Sequence, residues 1–542
     1  MRKRIILYSL ITLILVAPLI ALIGRIQSVR AADDPSNGSG SYTGYPLPPG
    51  AMGELQQINH QIDDTEAQTL KTINTDMSSM VQIQTLGKLQ LFDRSLSVHK
   101  NEACSTCHMP NAGYTGASQI LNETTVAYPG SVMGRFSGRK PQSYSYATLA
   151  PVLHYNTTQQ DFYGGNFWDM RATGSRLQSP SAEQAQGPPT NPVEMGLPDS
   201  ACVAYRIVKG QYESLFVKVW GPTIESIQWP ASAERVCSTP AGAGGVGPQM
   251  SLSSEDRTRA NTVYDQFGLS IAAYEGSNTV NAFTSKFDAY LANNAQLSSQ
   301  EMHGYQLFNG QGKCNTCHLS GNASGATGGT TADVAPLFTD FTSSNLGLPK
   351  NTSIPYYYEN KPDRYGFVAN PMGLAYVDLG VGAFLSGAQG SPVPDSEWMQ
   401  LAPKFDGKMQ VPTLRNVDQR PYPGFVKSYM HNGYLKSLKE VVHFYNTRDN
   451  MCATPDDPNV KKTCWPAAEV TANEDPTVGN LGLSDQDEND IVAFLRTLTD
   501  GYTTSNPAVT AKIQRNIREI RKNMQQQEAR SSIPNRSHGP AN

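Results

Sequence analysis

Two stretches of this chain, Cys104-Ser105-Thr106-Cys107-His108 and Cys314-Asn315-Thr316-Cys317-His318, repeat the pattern Cys-X-X-Cys-His. Two thiols three positions apart can each add to one vinyl group of a single porphyrin. The adjoining histidine can then take one axial face of its iron. A lone Cys-X-X-Cys could equally serve a zinc site, a redox dithiol or a disulfide, but two copies that both end in His point to c-type haem. The expected cofactors are two covalently bound haem c groups. One is held by Cys104, Cys107 and His108, the other by Cys314, Cys317 and His318.

Helices have to position these motifs. Leu297-Ser298-Ser299-Gln300-Glu301 reads as a helix start, followed by Gly304-Tyr305-Gln306-Leu307-Phe308 and then the second motif. Leu483-Ser484-Asp485-Gln486-Asp487 before Ile491-Val492-Ala493-Phe494-Leu495 predicts a capped amphipathic helix. Leu438, Val441, Val442 and Tyr445 fall at i, i+3, i+4 and i+7, one apolar helix face, and His443 lies off it. Residues 51–85 predict one or two surface helices, residues 33–50 a Gly/Ser/Pro-rich linker, and residues 180–192 and 239–247 Gly/Pro interruptions. The fold class is mainly α: two cytochrome c-like haem domains with long loop insertions. The expected boundaries are 1–31 for a signal peptide or membrane anchor and 32–85 for a linker and N-terminal extension. Residues 86–285 and 286–502 would form the two haem domains, and 503–542 a basic, Gln-rich tail.

A chain of 542 residues has room for such an arrangement. Its net charge of −4 implies neither nucleic-acid binding nor a strongly charged substrate. With only 17 % charged residues, 46 Gly and 36 Pro, irregular connections should be plentiful. Arg2-Lys3-Arg4, an apolar run over residues 5–23 and Val29-Arg30-Ala31 outline an export signal or an uncleaved anchor. Either places the remainder in the periplasm, soluble or tethered to the inner membrane. Four of the eight cysteines lie outside the two motifs. Of their three possible pairings, Cys202–Cys237 and Cys452–Cys464 close the shortest loops, and disulfides suit an oxidising compartment.

The segments around the motifs resemble the bacterial di-haem cytochrome c peroxidase/MauG family over roughly residues 86–498. They include Phe167-Trp168-Asp169-Met170-Arg171-Ala172, Glu183-Gln184-Ala185-Gln186-Gly187-Pro188 and Asn191-Pro192-Val193-Glu194-Met195-Gly196. Val411-Pro412-Thr413-Leu414-Arg415-Asn416 and Met430-His431-Asn432-Gly433 follow in the second half. The resemblance implies a peroxide site at the N-terminal haem, where Glu194 and Gln184 match the distal glutamate and glutamine. It implies an electron-delivering C-terminal haem, with Trp168 between the two. An electron donor such as a small cytochrome c or cupredoxin would complete the system.

Four departures from the family pattern qualify that picture. The loop over residues 173–181, between Trp168 and Gln184, is longer than the pattern. No histidine follows His108 before His154, so the N-terminal iron is expected to be open, with Met133 the one alternative cap in that loop. Fourteen residues after His431, where the peroxidases place a methionine ligand, stands Tyr445, as in MauG. Lys140 occupies the place of an expected calcium ligand, which makes calcium doubtful. The implied activity is reduction of hydrogen peroxide. The alternatives are peroxide-driven oxidation of a protein or organic substrate, and a non-enzymatic di-haem electron carrier.

Overall fold

The computed structural model describes residues 44–503, apart from 75, 321–334, 389 and 391. The predicted signal or anchor, most of the linker and the tail beyond 503 lie outside the described residues. Among those described, no helix is long and apolar enough to cross a membrane.

Two hydrophobic cores organise the chain, one beside each Cys-X-X-Cys-His motif. The first is built by helices Ala51–Leu70, Ser79–Phe92, Ala201–Val208 and Ser254–Glu275, whose Ile62, Leu89, Phe267 and Ile271 are fully or almost fully buried. The second is built by Ser299–Asn309, Leu438–Thr447 and Asp485–Arg496 around Phe308, Phe444, Trp465 and Phe494. Ser298 and Ser484 cap their helices as expected, each paired reciprocally with an acid three residues on, Glu301 and Asp487. The predicted boundary at 85/86 falls inside the Ser79–Phe92 helix. Because Ile58 and Ile62 of the preceding helix also enter the first core, the extension from residue 51 is continuous with it.

In both halves the helix before the motif meets a second helix backbone to backbone at a glycine. A Cβ on Gly87 would lie 1.8 Å from the Ser270 carbonyl oxygen, and one on Gly304 would lie 1.9 Å from that of Asp490. Only a residue without a side chain permits either crossing.

Strands are short. His154–Asn156 runs antiparallel to Asp161–Tyr163, with Tyr155 opposite Phe162. Ser343–Ser344 pairs antiparallel with Met409–Gln410. Two smaller clusters mix residues from both halves: Phe162 and Met170 with Phe384 and Phe405, and Val126 and Phe136 with Ile354 and Tyr357. The segment between residues 350 and 405 therefore packs against the N-terminal half. The Pro-rich stretch from residue 180, expected as an interruption, instead forms helices Pro180–Ala185 and Gly187–Thr190. Ser179 caps the first and Pro180 sits at its opening position, where a fixed φ favours helix and the missing N–H costs nothing. The disulfides are Cys202–Cys237 and Cys452–Cys464, the two local pairings.

Candidate functional site: two cavities and their shared wall

Cys104, Cys107 and His108 line one cavity, and Cys314, Cys317 and His318 line another. The four thiols take part in no disulfide. Burial pushes Cys104 and Cys314 up to about 12 and Cys317 to about 11, so they are neutral thiols rather than the thiolates of a reactive dithiol. His108 Nδ1 lies 3.2 Å from the Tyr114 carbonyl oxygen, and His318 Nδ1 lies 2.9 Å from that of Phe338. A carbonyl only accepts, so each Nδ1 carries the proton and each Nε2 keeps its lone pair for a metal. Desolvation lowers both imidazoles to about 4, which keeps them neutral as ligation requires. The second cavity has apolar walls, with Leu346, Leu414, Val441 and Val442 among them. These residues fit a flat, largely apolar macrocycle anchored by two thioethers and one imidazole.

The first cavity adds acid–base groups. Glu194 and Gln184 both line it, on different elements. Gln184 is carried by the Pro180–Ala185 helix. Glu194 sits in a turn held by its own N–H to the Asn191 carbonyl at 3.0 Å and by the Ser131 N–H to its carbonyl at 2.9 Å. Burial raises the Glu194 carboxyl above the ordinary range, partly offset by the charge of Arg171 and a bond from Asn191. The long loop over 173–181 is pinned rather than loose. The N–H groups of Gly174, Arg176 and Leu177 all donate to Glu183, next to Gln184, and Arg176 pairs with Asp265 at 2.7 Å.

Trp168 lines both cavities. Its indole N–H donates to the Lys140 carbonyl at 3.0 Å, and its own carbonyl accepts from the Gln410 N–H at 2.7 Å. Phe167 and Met170, on either side, adopt positive φ of 69° and 62°, a costly backbone that the surroundings must impose. Below it, Asp169 is fully buried and bridges Arg139 and Arg171 at 2.5 and 2.6 Å. Trp168 is thus clamped from both halves of the chain.

Known proteins resemble this chain over most of its length. The family described as di-haem cytochrome c peroxidase matches residues 82–296. The methylamine utilization protein MauG of Paracoccus denitrificans is 27% identical over 419 residues, covering 77% of this chain and 88% of its own. The cytochrome-c peroxidase IdrP1 of Denitromonas iodatirespirans is 24% identical, covering 76% and 80%. The diheme peroxidase BthA of Burkholderia thailandensis superposes with a TM-score of 0.55 at 24% identity, over 79% of this chain and 90% of that one, a likeness of fold. Residues 82–296 therefore match the di-haem cytochrome c peroxidase family, and the chain is similar over about three quarters of its length to MauG and to a cytochrome-c peroxidase.

Within that family frame, Tyr445 lies on the Leu438–Thr447 helix and lines the His318 cavity together with Leu438, Val441 and Val442. The four share one face, as their spacing requires. His443 is turned away: its Nδ1 meets Glu488 at 2.9 Å and its Nε2 the Lys462 carbonyl at 2.8 Å, so both ring nitrogens are engaged elsewhere. Met430 also lines the His318 cavity. Met133, the alternative cap for the first cavity, is 42% exposed and stands apart from the residues that line it. The Lys140 ammonium is buried and donates to Thr115 Oγ1 at 2.9 Å and to the Pro141 carbonyl at 3.0 Å. Burial and the nearby Lys436 charge lower it to about 7.

Several residues of the first cavity escaped the sequence reading. Glu102 and Glu275 are buried carboxyls lining it. Desolvation and the charge of Glu194 push Glu102 to about 8, and desolvation alone raises Glu275. Glu102 lies two positions before Cys104, but nothing in its type marks it as cavity-facing. Tyr356, Phe367 and Tyr376 reach the same cavity from far along the chain, where only the tertiary fold could bring them.

Proposed function

We propose that this protein reduces hydrogen peroxide to water in the His108 cavity, using electrons that pass through the His318 cavity. The observation that carries the proposal is the asymmetry of the two cavities about a shared wall that includes Trp168. Glu194 and Gln184 line only the first, whereas Trp168 lines both. Two haem c groups, attached through Cys104 and Cys107 and through Cys314 and Cys317, would supply the iron and the electron storage that the side chains lack. Glu194 takes a proton from the proximal oxygen of peroxide and returns it to the departing oxygen, general acid–base work suited to a carboxyl with a raised pKa. Gln184 offers an amide N–H and a carbonyl to orient the peroxide across the cavity. Two electrons and two protons per peroxide close the balance at two waters. Glu194 and Gln184 argue against a plain electron carrier, which needs no acid–base pair.

Residues 86–285 then act as the peroxidatic domain and 286–502 as the electron-transfer domain, fed by a small cytochrome c or cupredoxin. The two disulfides fit work in the periplasm. One observation favours a second reading, in which peroxide drives oxidation of a protein or organic substrate, as the resemblance to MauG suggests. Tyr445 in the His318 cavity would be an anionic oxygen ligand that stabilises ferric over ferrous iron, making that side a poor electron reservoir.

Trp168→Phe tests the coupling between the cavities. It keeps an aromatic ring in the clamp but removes the indole. Peroxide turnover with a reduced one-electron donor should fall, while peroxide should still change the absorption of the loaded protein. Undiminished donor-driven turnover would remove Trp168 from the route.

A further inference from the structure

Tyr356 and Tyr376 line the His108 cavity, although they lie more than 240 residues beyond His108 in sequence. Their rings are 5.4 Å apart, and Tyr357 stands 6.5 Å from the first and 6.3 Å from the second. Tyr357 is 3% exposed, and its hydroxyl donates to Glu469 Oε1 at 3.3 Å. The Glu469 side chain is 5% exposed, takes the Asp378 N–H at 3.3 Å and lies 3.5 Å from the Lys350 ammonium. That ammonium also sits 5.0 Å over the Tyr357 ring. Tyr376 is partly exposed, between Leu374 and Val377, which are 52% and 38% exposed. Three phenols in ring contact therefore lead from the cavity wall to the surface, and the buried one has a carboxylate on its hydroxyl.

We propose that Tyr356, Tyr357 and Tyr376 form a second exit for oxidising equivalents from the His108 cavity, delivering them to a one-electron donor at the surface beside Tyr376. The inference deepens the peroxide reading and rests on it. Electron transfer between side chains decays steeply with distance, so rings in contact outcompete any direct jump to the surface. A phenol loses an electron easily only if its proton leaves with it. Burial and the neighbouring Glu469 and Asp378 charges hold the Tyr357 phenol protonated, so the proton has to be handed over as the electron goes. In each one-electron step Tyr357 gives its electron toward the cavity and its proton to Glu469. The donor then supplies an electron through Tyr376, and the proton returns from Glu469 to Tyr357. Peroxide is the oxidant, and no net proton is consumed by the relay. Trp168, which lines both cavities, would serve the separate route from the His318 cavity.

The test uses the full, haem-loaded protein. Hydrogen peroxide is added in the presence of a nitrone spin trap, haem absorption is followed, and the trapped residues are mapped by peptide mass spectrometry. The proposal expects adducts on Tyr357 or Tyr376 in the wild type. It expects the Tyr357 adduct to be lost in Tyr357→Phe, with the haem absorption response unchanged. Tyr376→Phe should leave the adduct on Tyr357 and slow oxidation of a bulky donor such as ferrocytochrome c. If haem absorption responds but adducts appear only elsewhere, the tyrosine exit is overturned and the peroxide reading stands. If haem absorption does not respond at all, the peroxide reading fails and the exit falls with it.

Discussion

Glu194→Gln removes one proton-transfer group and almost nothing else. The substitution keeps the side-chain length and an oxygen at its end, and the turn is held by backbone bonds to Asn191 and Ser131 that do not involve the carboxyl. A lost general acid–base group costs about 10²- to 10⁴-fold in rate. Gln184 remains in the cavity and can still orient peroxide. The lower end is therefore expected, about 10²-fold, which corresponds to ~2.7 kcal/mol on the barrier. The pH profile gives a second, independent signature. Glu194 must be ionised to accept the peroxide proton, and burial raises its pKa. In the wild type the rate should fall as pH drops through that raised value, above the ordinary 4.5 of a glutamate. Glutamine has no proton to lose, so this acidic limb should disappear. Stopped-flow mixing with peroxide between pH 4 and 8 measures both effects. A variant with an unchanged rate and an intact acidic limb would refute the assignment of Glu194 as the proton shuttle.

Substitutions at two further positions address the other half. Tyr445→Met should raise the potential of one haem by roughly tens to hundreds of millivolts, within the ~0.8 V that axial ligands span, and Tyr445→Phe should leave that iron without its oxygen donor; spectroelectrochemistry reads both, and wild-type potentials in both variants would place the ligand elsewhere, with Met430 in the same cavity. Gly304→Ala should destabilise by ~3 kcal/mol, the upper end for overpacking, because its Cβ would meet the Asp490 carbonyl at 1.9 Å and backbone cannot step aside; thermal melting that matched the wild type would show that the helices can separate at no cost.

What the sequence disclosed was mostly local. The caps at Ser298 and Ser484, the two disulfides and the face shared by Leu438, Val441, Val442 and Tyr445 depend on neighbours within a few residues or on short loops. The rejection of His443 from that face follows from helical geometry alone, and its bonds to Glu488 and Lys462 give it separate employment. The Pro-rich stretch from residue 180 misled because proline at a helix opening looks, in sequence, like proline in a loop. The walls of the His108 cavity were illegible for a different reason. Glu102, Glu275, Tyr356 and Tyr376 are gathered from four distant segments, and the charge of a buried carboxyl has no sequence signature.

The most direct test of the central claim is resting-state EPR of the purified protein, with the spin count set against its iron content. Two irons in unlike environments, one open and ready for peroxide and one fully ligated, predict one high-spin and one low-spin ferric signal in equal amounts. Two low-spin signals would contradict the account, because neither iron could then receive peroxide and the protein would be an electron carrier.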